Sequence, residues 1–198
     1  RVGKYETLNS KNQLLICKGL SKDGVPFYKD EAQQYGLDFS GFSTQAAFFD
    51  YDNDGDLDMY LTVNEALHAS NSTSFVSQQD LEIAKSTGRL FRNDWDSTWK
   101  HPLFHDVSRV AGIIYEGYGH AATVCDMNND GWKDIYVSND FLSGNILYIN
   151  NHDGTFTNRS KDYFKHTSYN AMGQDVVDIN NDGLPDVVEL DMNPEDNY

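Results

Sequence analysis

Proline is scarce in this chain, four residues in 198, and cysteine scarcer still at two. Two cysteines cannot supply the disulfide framework on which small secreted scaffolds depend. Cys17 in "LLIC" and Cys125 in "ATVC" sit in strand-like apolar runs, a setting for small buried thiols, and their number leaves pairing open. Basic residues are also short, 15 Lys and Arg against 31 Asp and Glu, giving a formal charge of −16. That deficit excludes nucleic acid as an expected partner, because a phosphate backbone is bound through clustered cations. No run approaches the length of about eighteen apolar residues that a membrane-spanning helix needs. The opening "RVGKYETLNS" lacks the apolar centre of a signal peptide, so an export signal is expected upstream or already removed. Metalloprotease, serine-hydrolase, phosphate-loop and zinc-ribbon motifs are all missing, and a catalytic role is therefore not expected.

What the chain has instead is acid in short, spaced clusters. The stretch "DYDNDGDLD", Asp50 to Asp58, places five aspartates in nine residues between apolar "AAFF" and "MYL". It returns as "DMNNDGWKD", Asp126 to Asp134, and as "DINNDGLPD", Asp178 to Asp186. Every copy keeps Asp at position 1, Asp or Asn at 3, Asp-Gly at 5 and 6, and Asp at 9. A solvated turn has no reason to repeat that pattern three times.

The repeat extends beyond the loops, as a structural unit does. "YGLDFSGFSTQAAFFD" aligns without a gap on "AGIIYEGYGHAATVCD", and "NQLLICK", "GRLFRND" and "NILYINN" correspond, each followed by a phenylalanine-bearing run. Phe27 to Asp50 spans 23 residues; Phe104 to Asp126 and Phe156 to Asp178 span 22 each. These runs, rich in Val, Ile, Phe and Tyr and bounded by Asn, Asp and Gly, read as strands. Four short antiparallel strands per repeat predict an all-β fold of β-propeller blades, with a shorter-repeat β-solenoid as the rival architecture. The predicted segments are a half-blade over 11–42, a blade over 43–110 carrying an insertion at 65–88, a blade over 111–165 and a half-blade over 166–198.

The loop spacing suits a hard cation. Side chains at positions 1, 3, 5 and 9 can turn inward, the carbonyl at 7 adds an oxygen, and glycine at 6 permits the bend. The first loop would use Asp50, Asp52, Asp54, the Asp56 carbonyl and Asp58. The second would use Asp126, Asn128, Asp130, the Trp132 carbonyl and Asp134; the third Asp178, Asn180, Asp182, the Leu184 carbonyl and Asp186. Three Ca²⁺ ions are expected, since Mg²⁺ prefers to keep its waters. The third loop also satisfies an EF-hand pattern through Glu189 at position 12, but Pro185 and "DVVEL" argue for a strand where an EF-hand needs a helix, and the sibling loops have Leu61 and Val137 there.

These loops and strands resemble the FG-GAP and VCBS repeats of integrin-like β-propellers, over nearly the whole chain. More narrowly, "NILYINNHDGTFTN", "GYGHAATVCDMNNDGWKDIYVSNDF" and "MGQDVVDINNDGLPDVVELDMNPEDNY" resemble the ASPIC/UnbV (cartilage-acidic-protein-like) family of Bacteroidetes surface proteins. The resemblance implies calcium loops between the first two strands of each blade and about seven blades in a closed ring. It implies a place outside the cell or at its surface, outer-membrane-associated through an anchor beyond this segment, and a role in adhesion or assembly. Two full blades between half-blades look like part of something larger, so the remainder of a longer polypeptide or a protein partner is expected near "LLICK" and "DVVEL".

Outside the repeats, the histidines are scattered. His101 and His105 in "HPLFHD" have helical metal-pair spacing but a strand context, and His120 in "GYGHAAT" reads as a hydrogen-bonding residue. The insertion 65–88 is the longest interruption, and its "QQDLEIAK" reads as a short helix. Trp95 and Trp99 in "NDWDSTWK" read as packing between blades, with stacking on a sugar or a protein partner as the alternative. The expected function is a non-enzymatic, calcium-stabilised binding or assembly scaffold. The alternatives are the propeller domain of a carbohydrate-active enzyme or phospholipase, and a lectin.

Overall fold

The computed structural model describes residues 11–64, 86–140, 143–168 and 170–192, so "QQDLEIAK" and most of the insertion lie outside the described residues. Among the described residues the apolar runs form twelve strands: β1 (Leu15–Leu20), β2 (Pro26–Asp30), β3 (Ser43–Phe49), β4 (Asp58–Val63), β5 (Arg89–Asp96), β6 (His101–Asp106), β7 (Tyr118–Cys125), β8 (Asp134–Asp140), β9 (Ile146–Asn150), β10 (Phe156–Asn158), β11 (Ala171–Val177) and β12 (Asp186–Asp191). Single-turn helices α1 (Ala32–Tyr35) and α2 (Ser160–Tyr163) follow β2 and β10. Sequential strands pair as meanders: β1-β2, β3-β4-β5-β6, β7-β8-β9-β10 and β11-β12. The protein is all-β, and its four-stranded antiparallel sheets are consistent with part of a propeller.

The chain divides into two compact units, Arg1–Gly41 with Asp94–His105, and Phe42–Asn93 with Asp106–Tyr198. In the second unit the sheets stack face on face, β3 and β4 against β7, and β7 and β8 against β11. The central strands are therefore buried on both sides. Because successive strand residues face opposite ways, β8 sends Ile135 and Val137 into one core, with Phe49, Tyr60 and Tyr148, while Tyr136 joins a second core with Met127 and Leu147. Each such side chain contributes about 1.5–3 kcal/mol of burial. This explains why β4 and β8 read as continuous apolar runs without alternation.

A bulge recurs at the start of each blade's first strand, at Ser43/Gln45, Gly119/Ala121 and Ala171/Gly173. The extra residue is re-aimed, as bulges commonly do. In β7 it is His120, whose Nε2 lies 3.3 Å from Asn64 Nδ2 and 3.4 Å from Asp140 Oδ2. Each full blade also ends in a hydroxyl brace, the Leu90 N–H donating to Ser108 Oγ at 2.9 Å and the Leu147 N–H to Ser160 Oγ at 2.7 Å.

In the first unit, β1 and β2 form a two-stranded ribbon with nearly every residue exposed. Cys17 lies on it, exposed and free, which corrects the expectation of a buried thiol: a two-stranded ribbon has no second layer to cover it. Cys125 is half-buried and also free. The turn after β5 is set by Asp96, whose Oδ1 accepts the Thr98 and Trp99 N–H groups at 2.7 and 2.9 Å. Trp95 and Trp99 stay 65 and 70 % exposed, contrary to the packing role expected of them. His101 stacks on Tyr35, ring centroids 4.5 Å apart, and His105 faces Asp94 at 3.8 Å. On strand β6 the two histidines are about 13 Å apart, too far to share a metal.

Candidate metal loops

Each acidic loop leaves the first strand of a blade and turns on its own carboxylates. In the first, Asp50 accepts the Asp54 and Gly55 N–H groups at 3.2 and 3.0 Å. Asp126 does the same for Asp130 and Gly131 at 3.0 and 2.8 Å, and Asp178 for Asp182 and Gly183 at 3.0 and 2.8 Å. At position 5, Asp54, Asp130 and Asp182 take the N–H groups of Asp56, Trp132 and Leu184 at 3.0, 2.9 and 2.8 Å. At position 9, Asp58, Asp134 and Asp186 reach back to the N–H groups of Tyr51, Met127 and Ile179 at 3.1, 2.8 and 3.0 Å. The glycines at position 6 adopt φ of 96, 89 and 85°, and the asparagines at position 4, Asn53, Asn129 and Asn181, adopt 60, 58 and 60°. Glycine and asparagine are the residues that enter this left-handed region most readily. All three loops carry Asn at position 4, a regularity visible in the sequence whose reason is conformational.

The third strand of each full blade completes its loop. The Asn93 N–H donates to Asp58 Oδ1 and the Asn150 N–H to Asp134 Oδ1, both at 2.8 Å, while their side-chain amides donate to the position-8 carbonyls of Leu57 and Lys133 at 3.1 and 3.2 Å. Sequence reasoning aligned these strands but missed the role of their asparagines. Asp58 and Asp134 are wholly buried, whereas Asp186, with no third strand beside it among the described residues, is half-exposed. Burial pushes the Asp58 carboxyl up to about 7, against two backbone N–H bonds that pull it down. Asp134 is raised for the same reason.

Position 3 separates the loops. Asn128 and Asn180 donate to the Asp at position 5, at 2.7 and 3.1 Å, and accept its N–H. Asp52 has no proton to donate there. Its Oδ1 is buried without a hydrogen-bond partner, and burial, then the neighbouring Asp54, raise its pKa. Oxygens of Asp50, Asp52 and Asp58 all lie within 4.8 Å of one another. Arg92 offsets part of the charge on Asp52 but leaves its pKa raised, and an orphaned carboxylate oxygen in an all-oxygen cluster fits a hard divalent cation.

The second loop has a neighbour that the sequence did not suggest. His152, in the β9–β10 turn, places Nε2 2.8 Å from Asp130 Oδ2 and stacks on Trp132 with ring centroids 4.9 Å apart. Partial burial raises the Asp130 carboxyl, but the Trp132 N–H, His152 and Asn128 outweigh it and hold the group below its ordinary value. The loops also touch each other. Asn150 Nδ2 donates to the Tyr51 carbonyl at 2.8 Å and Asn129 Nδ2 to the Gly183 carbonyl at 3.1 Å.

Glu189, the residue that would have completed an EF-hand, lies on β12 and is used elsewhere. It accepts from the Tyr136 hydroxyl at 3.4 Å, from the Asn145 amide and from the Ser168 N–H at 3.2 Å, joining the β11–β12 sheet to its neighbour. Strands flank the third loop, as β11 and β12 show.

Sheets and loops together define an all-β protein built from propeller-type blades. Residues 126–189, from the second loop through the third, match the family model of the FG-GAP-like repeat. No curated protein matches the chain.

Proposed function

We propose that this chain is a calcium-stabilised segment of an extracellular β-propeller, serving as a non-enzymatic scaffold for binding or assembly. The observation that carries the reading is Asp52, whose buried Oδ1 lacks a partner beside Asp50 and Asp58. Ca²⁺ would be held there by Asp50, Asp52, Asp54, Asp58 and the Asp56 carbonyl, and in the other loops by the corresponding residues. Its chemistry would be charge compensation, and the residues themselves fold the loop around it. Extracellular modules work at about 10⁻⁴ to 10⁻³ M Ca²⁺. The FG-GAP-like match agrees with this class. The quoted stretches that resemble the ASPIC/UnbV family support a surface protein of that branch as the finer reading, with a protein partner or further polypeptide completing the ring.

Thermal unfolding with and without chelator tests the reading. Chelation should lower the melting temperature and added Ca²⁺ restore it, because an ion bound only by the folded state stabilises it by mass action. An unchanged curve contradicts it.

A second reading, glycan binding, is favoured by Trp99. It stands 70 % exposed on a turn fixed by Asp96, next to His101 and Tyr35. Rigid exposed aromatics suit stacking on a sugar ring. Glycan-array binding abolished by Trp99→Ala would support it; no binding by the intact chain would end it.

A further inference from the structure

We infer that Asn150 couples the first two loops, so that an ion in one raises the affinity of the other. The inference rests on the reading that these loops take Ca²⁺. One amide group carries the link. Asn150 Nδ2 has two hydrogens, and both are committed, one to the Tyr51 carbonyl of the first loop at 2.8 Å and one to the Lys133 carbonyl of the second at 3.2 Å. Each carbonyl belongs to the peptide that immediately precedes a proposed ligand, Asp52 in one case and Asp134 in the other. The residue is buried, its Oδ1 is fixed by the His152 N–H at 2.9 Å and its own N–H by Asp134 Oδ1 at 2.8 Å.

The amide is planar, so aiming one hydrogen aims the other. Closing Asp52 onto an ion sets the 51–52 peptide, and through it the amide that holds the 133–134 peptide. The second ion then pays less of the ordering cost, which is positive coupling. Linkage requires the effect to be reciprocal. Asn93, at the same place in the preceding blade, bonds its own loop, to the Leu57 carbonyl and Asp58, and among the described residues its side chain reaches no second loop. It supplies the control.

Trp132 supplies the reporter. It occupies position 7 of the second loop, where the others carry Asp56 and Leu184, so Tb³⁺ used in place of Ca²⁺ there is sensitised by an indole belonging to that loop. The whole chain, stripped with chelator, is titrated with Tb³⁺ under tryptophan excitation, with and without Asp52→Ala. Asp52→Ala removes a proposed ligand whose Oδ1 has no hydrogen-bond partner, together with one bond from the Asp54 N–H that lies within the first loop itself. In the Asn150 background, Asp52→Ala should weaken the Trp132-sensitised midpoint about five-fold or more. With Asn150→Ala, or with Asn150→Asp, which keeps the acceptor and removes both donors, the same change should leave the midpoint unmoved. With Asn93→Ala the coupling should persist. Working with the ratio inside each background removes any uniform loss from a weakened fold. A midpoint indifferent to Asp52→Ala when Asn150 is present overturns the coupling alone. Coupling that survives both Asn150 variants removes Asn150 from it. Absence of sensitised binding in every background overturns the calcium reading as well.

Discussion

Asn128 donates a hydrogen bond to Asp130 at 2.7 Å, and the first loop has no equivalent, because Asp52 stands where Asn128 does. In the second and third loops this hydrogen bond offsets part of the charge without a metal; in the first, Asp52 has the attraction of Arg92 instead and its pKa is still raised. Asp52→Asn should therefore weaken Ca²⁺ binding at the first loop while stabilising the chelated protein by about 1 kcal/mol, the net value of a hydrogen bond gained. Calorimetric titration and urea unfolding in chelator measure the two halves. A chelated variant less stable than the parent would contradict the account.

The two blades with a third strand bury position 9 more deeply than the third loop does. Asp134 accepts two backbone N–H groups while wholly buried, and Asp186 accepts one while half-exposed. Asp134→Ala should cost about 2–4 kcal/mol in unfolding free energy, since it leaves two buried donors unpaired, and Asp186→Ala about 1 kcal/mol. Equal costs would mean that the third-strand asparagines do not matter.

In the metal-free chain, burial holds Asp58 at about 7. A folded-state pKa above the unfolded one means that the folded chain binds the extra proton. The stability from this group is complete below the ordinary carboxylate range and is lost as pH rises through 7. Asp134 shifts the same way. Glu31 and Asp96, held below their ordinary values, are already ionised in both states over this window. Chelated protein should resist urea better at about pH 5 than at about pH 7, and Ca²⁺-loaded protein should show the reverse, because the ion needs the carboxylates ionised. Chelated protein that gains resistance over that rise in pH would contradict this.

Glu189→Gln distinguishes the loop reading from the EF-hand pattern. Glu189 is engaged with Tyr136, Asn145 and the Ser168 N–H. The substitution should leave Ca²⁺ stoichiometry and affinity unchanged in calorimetry. Loss of one site would restore the EF-hand.

The loops and strands were legible because both are written in period and spacing: a nine-residue acidic pattern repeated three times, and short apolar runs between turn residues. The asparagines at position 4 were equally visible, but their use depends on a backbone angle that no composition announces. Asn93 and Asn150 lie 35 and 16 residues beyond the position-9 aspartates they serve, and only blade closure brings them there. Cys17 and Trp95 misled for a related reason. An apolar residue in a strand reads as buried, and whether a second layer covers it is decided by the fold around it.

The most direct test of the central claim is anomalous diffraction from crystals grown in Ca²⁺. The account expects one peak in each loop, with oxygens of Asp50, Asp52, Asp54 and Asp58, and their counterparts in the other two loops, at about 2.3–2.6 Å. Ordered loops without density, or an ion held by other residues, would contradict it.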